Sequence, residues 1–247
     1  MARPRRLSYP RAMHHVTMRC NNKEFLFDDD SRMLFLRLLD RYRAEFGIRL
    51  YNYCLLTNHI HLLFQVPHAE TLSQFMQRLA NVFARRFNVE RGRKGHLWEG
   101  RFVSTIIQPS TCFLRCMSYI DMNPVRARIV NDPCRYQWCG HGELVSEEYR
   151  LLDPHTLYRV LGESSDARYQ AYRSLLQAEC ETGAYSLADA LFVGSPEFIR
   201  RLRAYFRGAM GSQSRQRRVA LGHNIYALEW RNSGTGAGPE DVTDSDA

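Results

Sequence analysis

The stretch Leu55-Leu56-Thr57-Asn58-His59-Ile60-His61-Leu62-Leu63-Phe64 decides how the chain is read. It is apolar and rich in strand formers, and two histidines interrupt it. Successive side chains on a strand point to opposite faces, so His59 and His61 share one face. Ile60, Leu62 and Phe64 share the other, where a core takes them. Two neutral imidazoles side by side are half of a divalent-cation site. The same pair also fits the solvent face of an edge strand, so the spacing marks a position and leaves its chemistry open.

Working outward, Ala12 to Arg19 reads as a first strand entered from a basic arm, with a turn at Asn21-Asn22-Lys23. His14 and His15 are adjacent, face opposite ways on a strand, and are given no metal role. Asp28 to Asp30 suit a helix start. Phe35, Leu38, Leu39, Tyr42 and Phe46 recur at helical spacing over Ser31 to Phe46, and Gly47 stops that helix. Ile48 to Leu56 is a second strand, joined through Thr57-Asn58 to the histidine strand. Thr71 to Asn88 is a second helix with Leu72, Phe75, Met76, Leu79, Phe83 and Phe87 as its buried stripe. Leu97 to Gln108 is expected as a β-hairpin turning near Gly100. Pro109 is expected to open a third helix that ends before Pro124. Tyr119 and Asn123, four apart, then lie one above the other on that helix.

The 247 residues suffice for one sizeable core and a second small unit. Hydrophobic residues make up 45% and charged residues 24%, as in ordinary globular chains. No apolar run is long enough to span a bilayer, and the basic N-terminus lacks the apolar segment of a secretory signal. The seven cysteines are scattered without a Cys-x-x-Cys pair, which argues against a zinc knuckle or disulfide framework and for reduced thiols in a cytosol. The net charge of +8 comes mostly from arginine, whose planar fork suits phosphate. Arg3, Arg5, Arg6, Arg11 and Arg19 all fall within the first twenty residues, where there is no acid. That clustering favours nucleic acid over a generally basic surface. Trp98 and Phe102 sit among Arg93, Lys94 and Arg101, a mixture able to stack on bases and hold phosphates, although a packed tryptophan on a surface hairpin fits as well.

Four stretches taken together resemble a known family: Tyr9-Pro10 leading to His15-Val16-Thr17; Asn58 to Leu63; Gly95 to Phe102; and Tyr119-Ile120-Asp121-Met122-Asn123-Pro124-Val125-Arg126-Ala127. In this order and spacing they resemble the REP-associated tyrosine transposases, single-tyrosine HUH transposases of insertion-sequence type. The resemblance covers about Arg5 to Gly142. It implies an α/β (α+β) ferredoxin-like sandwich with a central antiparallel sheet. It implies that His59, His61 and Asn123 bind Mg²⁺ or Mn²⁺ and that Tyr119 is the nucleophile. The implied activity is cleavage and rejoining of single-stranded or hairpin DNA through a 5′-phosphotyrosine, in a cytoplasmic monomer or homodimer. Arg3, Arg5, Arg6, Arg78, Arg85, Arg93, Lys94, Trp98, Arg101 and Arg126 are the expected DNA contacts. The alternative is a domesticated palindrome-binding protein that moves no DNA.

The expected division is 1–142 for the transposase-like domain, 143–231 for a helical, basic C-terminal extension, and 232–247 for a disordered tail poor in groups to bury. In the extension, Ser165 to Cys180 has helical spacing and Ser195-Pro196-Glu197 caps a further, arginine-bearing helix.

Overall fold

A computed structural model describes residues 6–24, 27–181, 190–210, 216–222 and 224–230. Its strands are β1 (Met13–Arg19), β2 (Arg49–Leu55), β3 (His59–Gln65), β4 (Val103–Ile107), β5 (Ala190–Gly194), β6 (Gln216–Ala220) and β7 (Tyr226–Trp230). The longer helices are α1 (Asp29–Glu45), α2 (Thr71–Glu90) and α3 (Thr111–Asp121), with a short α4 (Asn123–Arg126) directly behind. Then come α5 (His141–Ser146), α6 (Thr156–Arg159), α7 (Ser165–Glu181), α8 (Pro196–Tyr205) and α9 (Arg207–Met210). No helix among the described residues is long and apolar enough to cross a membrane.

The strands form one sheet in the order β2-β3-β1-β4-β5-β7-β6. Every pairing is antiparallel except β4 with β5. In the β1–β3 register, Arg19 lies opposite His59, Thr17 opposite His61 and His15 opposite Leu63. One face of these strands therefore carries His15, Thr17, Arg19, His59 and His61. The other carries Val16, Met18, Ile60, Leu62 and Phe64, buried as their alternation requires.

That apolar face is covered by α1 and α2. Phe64 meets Phe75 edge-on at 5.3 Å, and Phe83 meets Phe35 at 5.2 Å and Phe27 at 5.4 Å. Asp28 caps α1 by accepting from the Ser31 backbone N–H at 3.0 Å, and the helix ends before Gly47, whose φ of +62° suits glycine. The histidine face is covered by α3, whose apolar stripe of Phe113, Cys116, Met117 and Ile120 is fully buried.

Two expectations change at the start of this layer. Residues 97–102 form no strand of their own beyond an isolated bridge between Cys20 and Trp98, so the anticipated hairpin reduces to β4 alone. Trp98 explains the irregular path. Its indole lies near Phe83 and Phe27, at 5.7 and 6.0 Å, and its Nε1–H donates to the Ala80 carbonyl at 3.1 Å. The third helix opens at Thr111, not at Pro109, because the Ser110 hydroxyl takes the Cys112 N–H at 3.3 Å and makes the better cap.

Residues beyond 142 carry the expected helices, and Ser195 caps α8 as its sequence suggests. They also carry strands the periodicity did not reveal. β5 joins the sheet beside β4, β7 and β6 follow, and α8 packs Phe198, Ile199 and Leu202 with Phe192 and Leu228 in a second apolar cluster. The segment 232–247 lies outside the described residues.

His14, on the apolar face, is fully buried, with Ser8 Oγ 2.9 Å from Nε2 and Ser104 Oγ 2.9 Å from Nδ1. Burial lowers its pKa to about 3. The unfolded chain takes up a proton below roughly 6.5 while the folded protein does not. This contribution to stability is therefore complete above pH 6.5 and is lost as pH falls toward 3. His14→Gln is expected to flatten the decline in unfolding free energy by about 1.4 kcal/mol per pH unit below 6.5. Denaturant titrations from pH 7 to 5 check it.

Candidate active site

The register of β1 against β3 sets a row of imidazoles under α3. His59 and His61 have ring centroids 5.1 Å apart and are nearly perpendicular. The structure adds a third ring that sequence reasoning left out. His15 stacks on His61 with centroids 5.2 Å apart and planes 3° from parallel. On antiparallel strands His15 and His61 are diagonal neighbours on one face, a long-range contact that the local reading, which gave His15 no metal role, does not show.

Hydrogen bonds order these rings. His59 Nδ1 lies 2.6 Å from Asn58 Oδ1, so Nδ1–H donates and Nε2 keeps its lone pair. His15 Nε2 lies 3.0 Å from His61 Nδ1. Burial lowers the pKa of His15 to about 3 and that of His61 well below the ordinary value, and burial followed by nearby Arg19 lowers His59 to about 4. All three are neutral at pH 7. When His61 donates from Nδ1 to His15, its Nε2 lone pair is left for a ligand. That Nε2 is buried and has no protein partner. An unpaired buried nitrogen costs about 1–3 kcal/mol, so the site is built for something that fills it. A cation binding to the lone pair fits.

Tyr119 closes the cluster from above. Its ring meets His15 and His61 edge-on, each at 5.8 Å. The end of α3 explains how Asn123 is held. Pro124 has no N–H to offer the carbonyl of Ile120. The Asn123 side-chain N–H group donates instead, to Tyr119 O at 2.8 Å and Ile120 O at 3.5 Å. The helical run is interrupted at Met122 and resumes as α4, and the Asn123 side-chain oxygen is left as an acceptor or ligand. Arg126 donates to the Tyr119 carbonyl at 3.0 Å and sets its guanidinium 4.9 Å from the Tyr119 ring centre. Among the described residues no group of three or more His, Cys, Asp or Glu side chains is gathered as a metal cage. The donors expected from the sequence, His59, His61 and Asn123, are two imidazoles and an amide.

The other expected contacts lie elsewhere. Arg6, Trp98 and Arg101 line a groove of about 1230 Å³ between α2 and residues 95–102, together with Gln74, Gln77 and Asn81. Arg6 is partly committed, donating to the Phe102 carbonyl. Arg93 pairs with Glu24 at 2.9 Å, and Arg78 lies 5.7 Å from the Tyr42 ring centre. Arg85 and Lys94 are exposed. Arg3 and Arg5 lie outside the described residues.

Residues 8–123 match the family model described as "Transposase IS200 like". A REP-associated tyrosine transposase solved bound to a REP hairpin superposes with TM-score 0.51 at 16% identity, covering 64% of this chain and 93% of that one. A putative transposase from Deinococcus radiodurans R1 aligns with TM-score 0.35 at 17% identity, over 52% of this chain and 92% of that one. No curated protein matches the chain. The first of these likenesses shows a shared fold.

Asn58 is expected to hold His59 as a single Nδ1–H tautomer, visible in ¹⁵N spectra of the imidazoles at pH 7. Asn58→Ala should convert it to a mixture of tautomers. An unchanged spectrum would show that another group sets the ring.

Proposed function

We propose, from the premise that residues 8–123 form a domain of the IS200-like transposase family, that the protein cleaves and rejoins single-stranded DNA through Tyr119. The observation that carries this reading is the Tyr119 ring set edge-on to His61, whose Nε2 is buried without a protein partner. A free phenol has a pKa near ~10 and attacks poorly at pH 7, and a phosphodiester repels it further. Catalysis must therefore position the phenol and neutralise charge at the phosphate.

The donor set of His59, His61 and Asn123 fits Mg²⁺ or Mn²⁺, which supplies Lewis-acid withdrawal of charge from the scissile phosphate. Two imidazole nitrogens tilt the preference toward Mn²⁺, and three protein donors leave positions for substrate and water. His15 is a positioning residue: by accepting from His61 Nδ1 it fixes the tautomer whose Nε2 faces the ligand. Asn123 is held by its own amide donors, so its oxygen needs no reorganisation to serve.

The Tyr119 oxygen attacks phosphorus in line, and the bond from phosphorus to the 3′ oxygen breaks. The phenol loses its proton and the 3′ oxygen gains one. The product is a 5′-phosphotyrosine and a free 3′-OH, and the ester keeps the bond energy for rejoining. Arg126, over the Tyr119 ring, places positive charge beside the reacting phosphate. The substrate class is a hairpin with a flanking single strand, because an unpaired strand enters such a cleft where a stiff duplex does not. The groove lined by Trp98, Arg6 and Arg101 supplies a second surface for that strand, with amides for base edges.

Tyr119→Phe is expected to bind a labelled hairpin oligonucleotide with unchanged affinity yet to form no covalent adduct on denaturing gels. EDTA should abolish the adduct in the parent protein, and Mn²⁺ should restore it. Adduct formation by Tyr119→Phe would remove Tyr119 from the role. His15→Phe, measured by calorimetry without DNA, should weaken Mn²⁺ binding about 10–100-fold. Unaltered affinity would make the His15–His61 contact packing only.

A further inference from the structure

Outside the Tyr119 cluster, the described residues hold one other chain of nucleophile, base and acid. Cys134 lies in a tight turn, Pro133–Arg135, whose start is capped by Asp132 through the Cys134 N–H at 2.9 Å. The thiol is exposed, and its Sγ is 3.4 Å from Nε2 of His141. His141 is fully buried, with Nδ1 2.8 Å from Asp121 Oδ2. That carboxylate is itself fixed, accepting from Tyr172 Oη at 2.7 Å and from Asn52 Nδ2 at 2.8 Å. On the outer side, Tyr169 Oη stands 3.3 Å from the sulfur.

This is not how a structural cysteine is kept. Cys20, Cys54, Cys112 and Cys139 are buried, and burial raises each of their thiols. Cys134 is the exposed one among the described free cysteines. The groups facing its sulfur are His141 from α5, Tyr169 from α7 and Asp132 from the turn, with Asp121 behind His141 and Arg173 beside Tyr169. Burial alone would lower the His141 pKa, but Asp121 and Cys134 raise it to about 10, so the ring is an imidazolium at neutral pH. The hydrogen bond from that ring is the main influence lowering the Cys134 thiol. A thiolate held this way is nucleophilic and reachable.

We propose that Cys134 is a modification site, a thiolate that reacts with hydroperoxides to give a sulfenic acid. The sulfur attacks the peroxide oxygen, an S–O bond forms and the O–O bond breaks. Sulfur gives up two electrons to the peroxide. The leaving oxygen takes a proton from the His141 imidazolium and departs as water or an alcohol. Nothing in this step uses Tyr119 or a cation, so its test stands apart from the strand-transfer reading.

The test uses the full chain, reduced, with sub-stoichiometric hydrogen peroxide and dimedone as the sulfenic-acid trap, followed by peptide mass spectrometry. Cys134 should carry the dimedone adduct before any other cysteine. Alkylation by iodoacetamide from pH 4 to 9 should give Cys134 a midpoint below the ~8.5 of a free thiol. His141→Gln should raise that midpoint and slow oxidation at pH 7 about tenfold. Because that variant touches a buried network, the profile of the parent protein is decisive in its own right. A midpoint at or above ~8.5, or earlier trapping at another cysteine, overturns the proposal.

Discussion

The pairing register of β1 on β3 is the constraint from which the site follows. Side chains alternate along a strand, so a slip of one residue would send His59 and His61 into the apolar layer under α2 and bring Ile60 and Leu62 to α3. The apolar residues forbid that slip. Val16, Met18, Ile60, Leu62 and Phe64 are all buried against α1 and α2, and each would lose roughly 1.5–3 kcal/mol of transfer free energy if turned out. The imidazole row is thus held in place by the opposite face of the same strands, not by its own contacts.

The second constraint is the position of α3. Its apolar stripe lets it lie on the sheet, but packing of smooth side chains does not fix rotation about the helix axis. Directional bonds do. Asn52 on β2 donates to the Met117 carbonyl at 3.2 Å and to Asp121, and Asp121 is gripped from the far side by Tyr172 of α7 and His141 of α5. Gly140 makes this possible, since a Cβ there would stand 2.5 Å from Asn52 Oδ1 and 2.9 Å from Leu152 Cδ1. A buried carboxylate is costly unless its oxygens are satisfied, and here both are. Tyr119 lies two residues before Asp121 and Asn123 two after, so the same bonds that satisfy Asp121 orient the phenol and the amide.

Much of this was legible locally. Strand alternation gave the His59 and His61 face, helical spacing gave α1, α2 and the Tyr119–Asn123 pairing, and a serine before a proline gave the start of α8. What stayed hidden depends on long-range contact. The contact of His15 with His61 is not visible locally, because the two are 46 residues apart and only the sheet brings them together. Trp98 reads equally as a stacking platform or a packed residue, because nothing local shows its contacts with Phe83 and Ala80. The strands β5, β6 and β7 are short, and their burial comes from joining an existing sheet edge, which a sequence window does not show. Asp121 passed as an ordinary helix residue because the groups that satisfy it come from 52, 141 and 172.

The layout also bears on the path that the proposed reading asks of a DNA strand. The groove under Trp98 lies on the α2 side of the sheet and the imidazole row on the α3 side, so the sheet separates them. They come nearest at one end of β1. Arg19 sits opposite His59, and Asn21, two residues on, lines the groove and bonds through its N–H to the Leu97 carbonyl at 2.8 Å. On the proposed reading, a strand passing from the groove to Tyr119 turns over that end, across Arg19. Rigid duplex resists a turn on this scale, with a persistence length of about 150 base pairs, whereas unpaired nucleotides make it easily. On the proposed reading, the sheet itself, whose end the chain must cross, favours an unpaired strand.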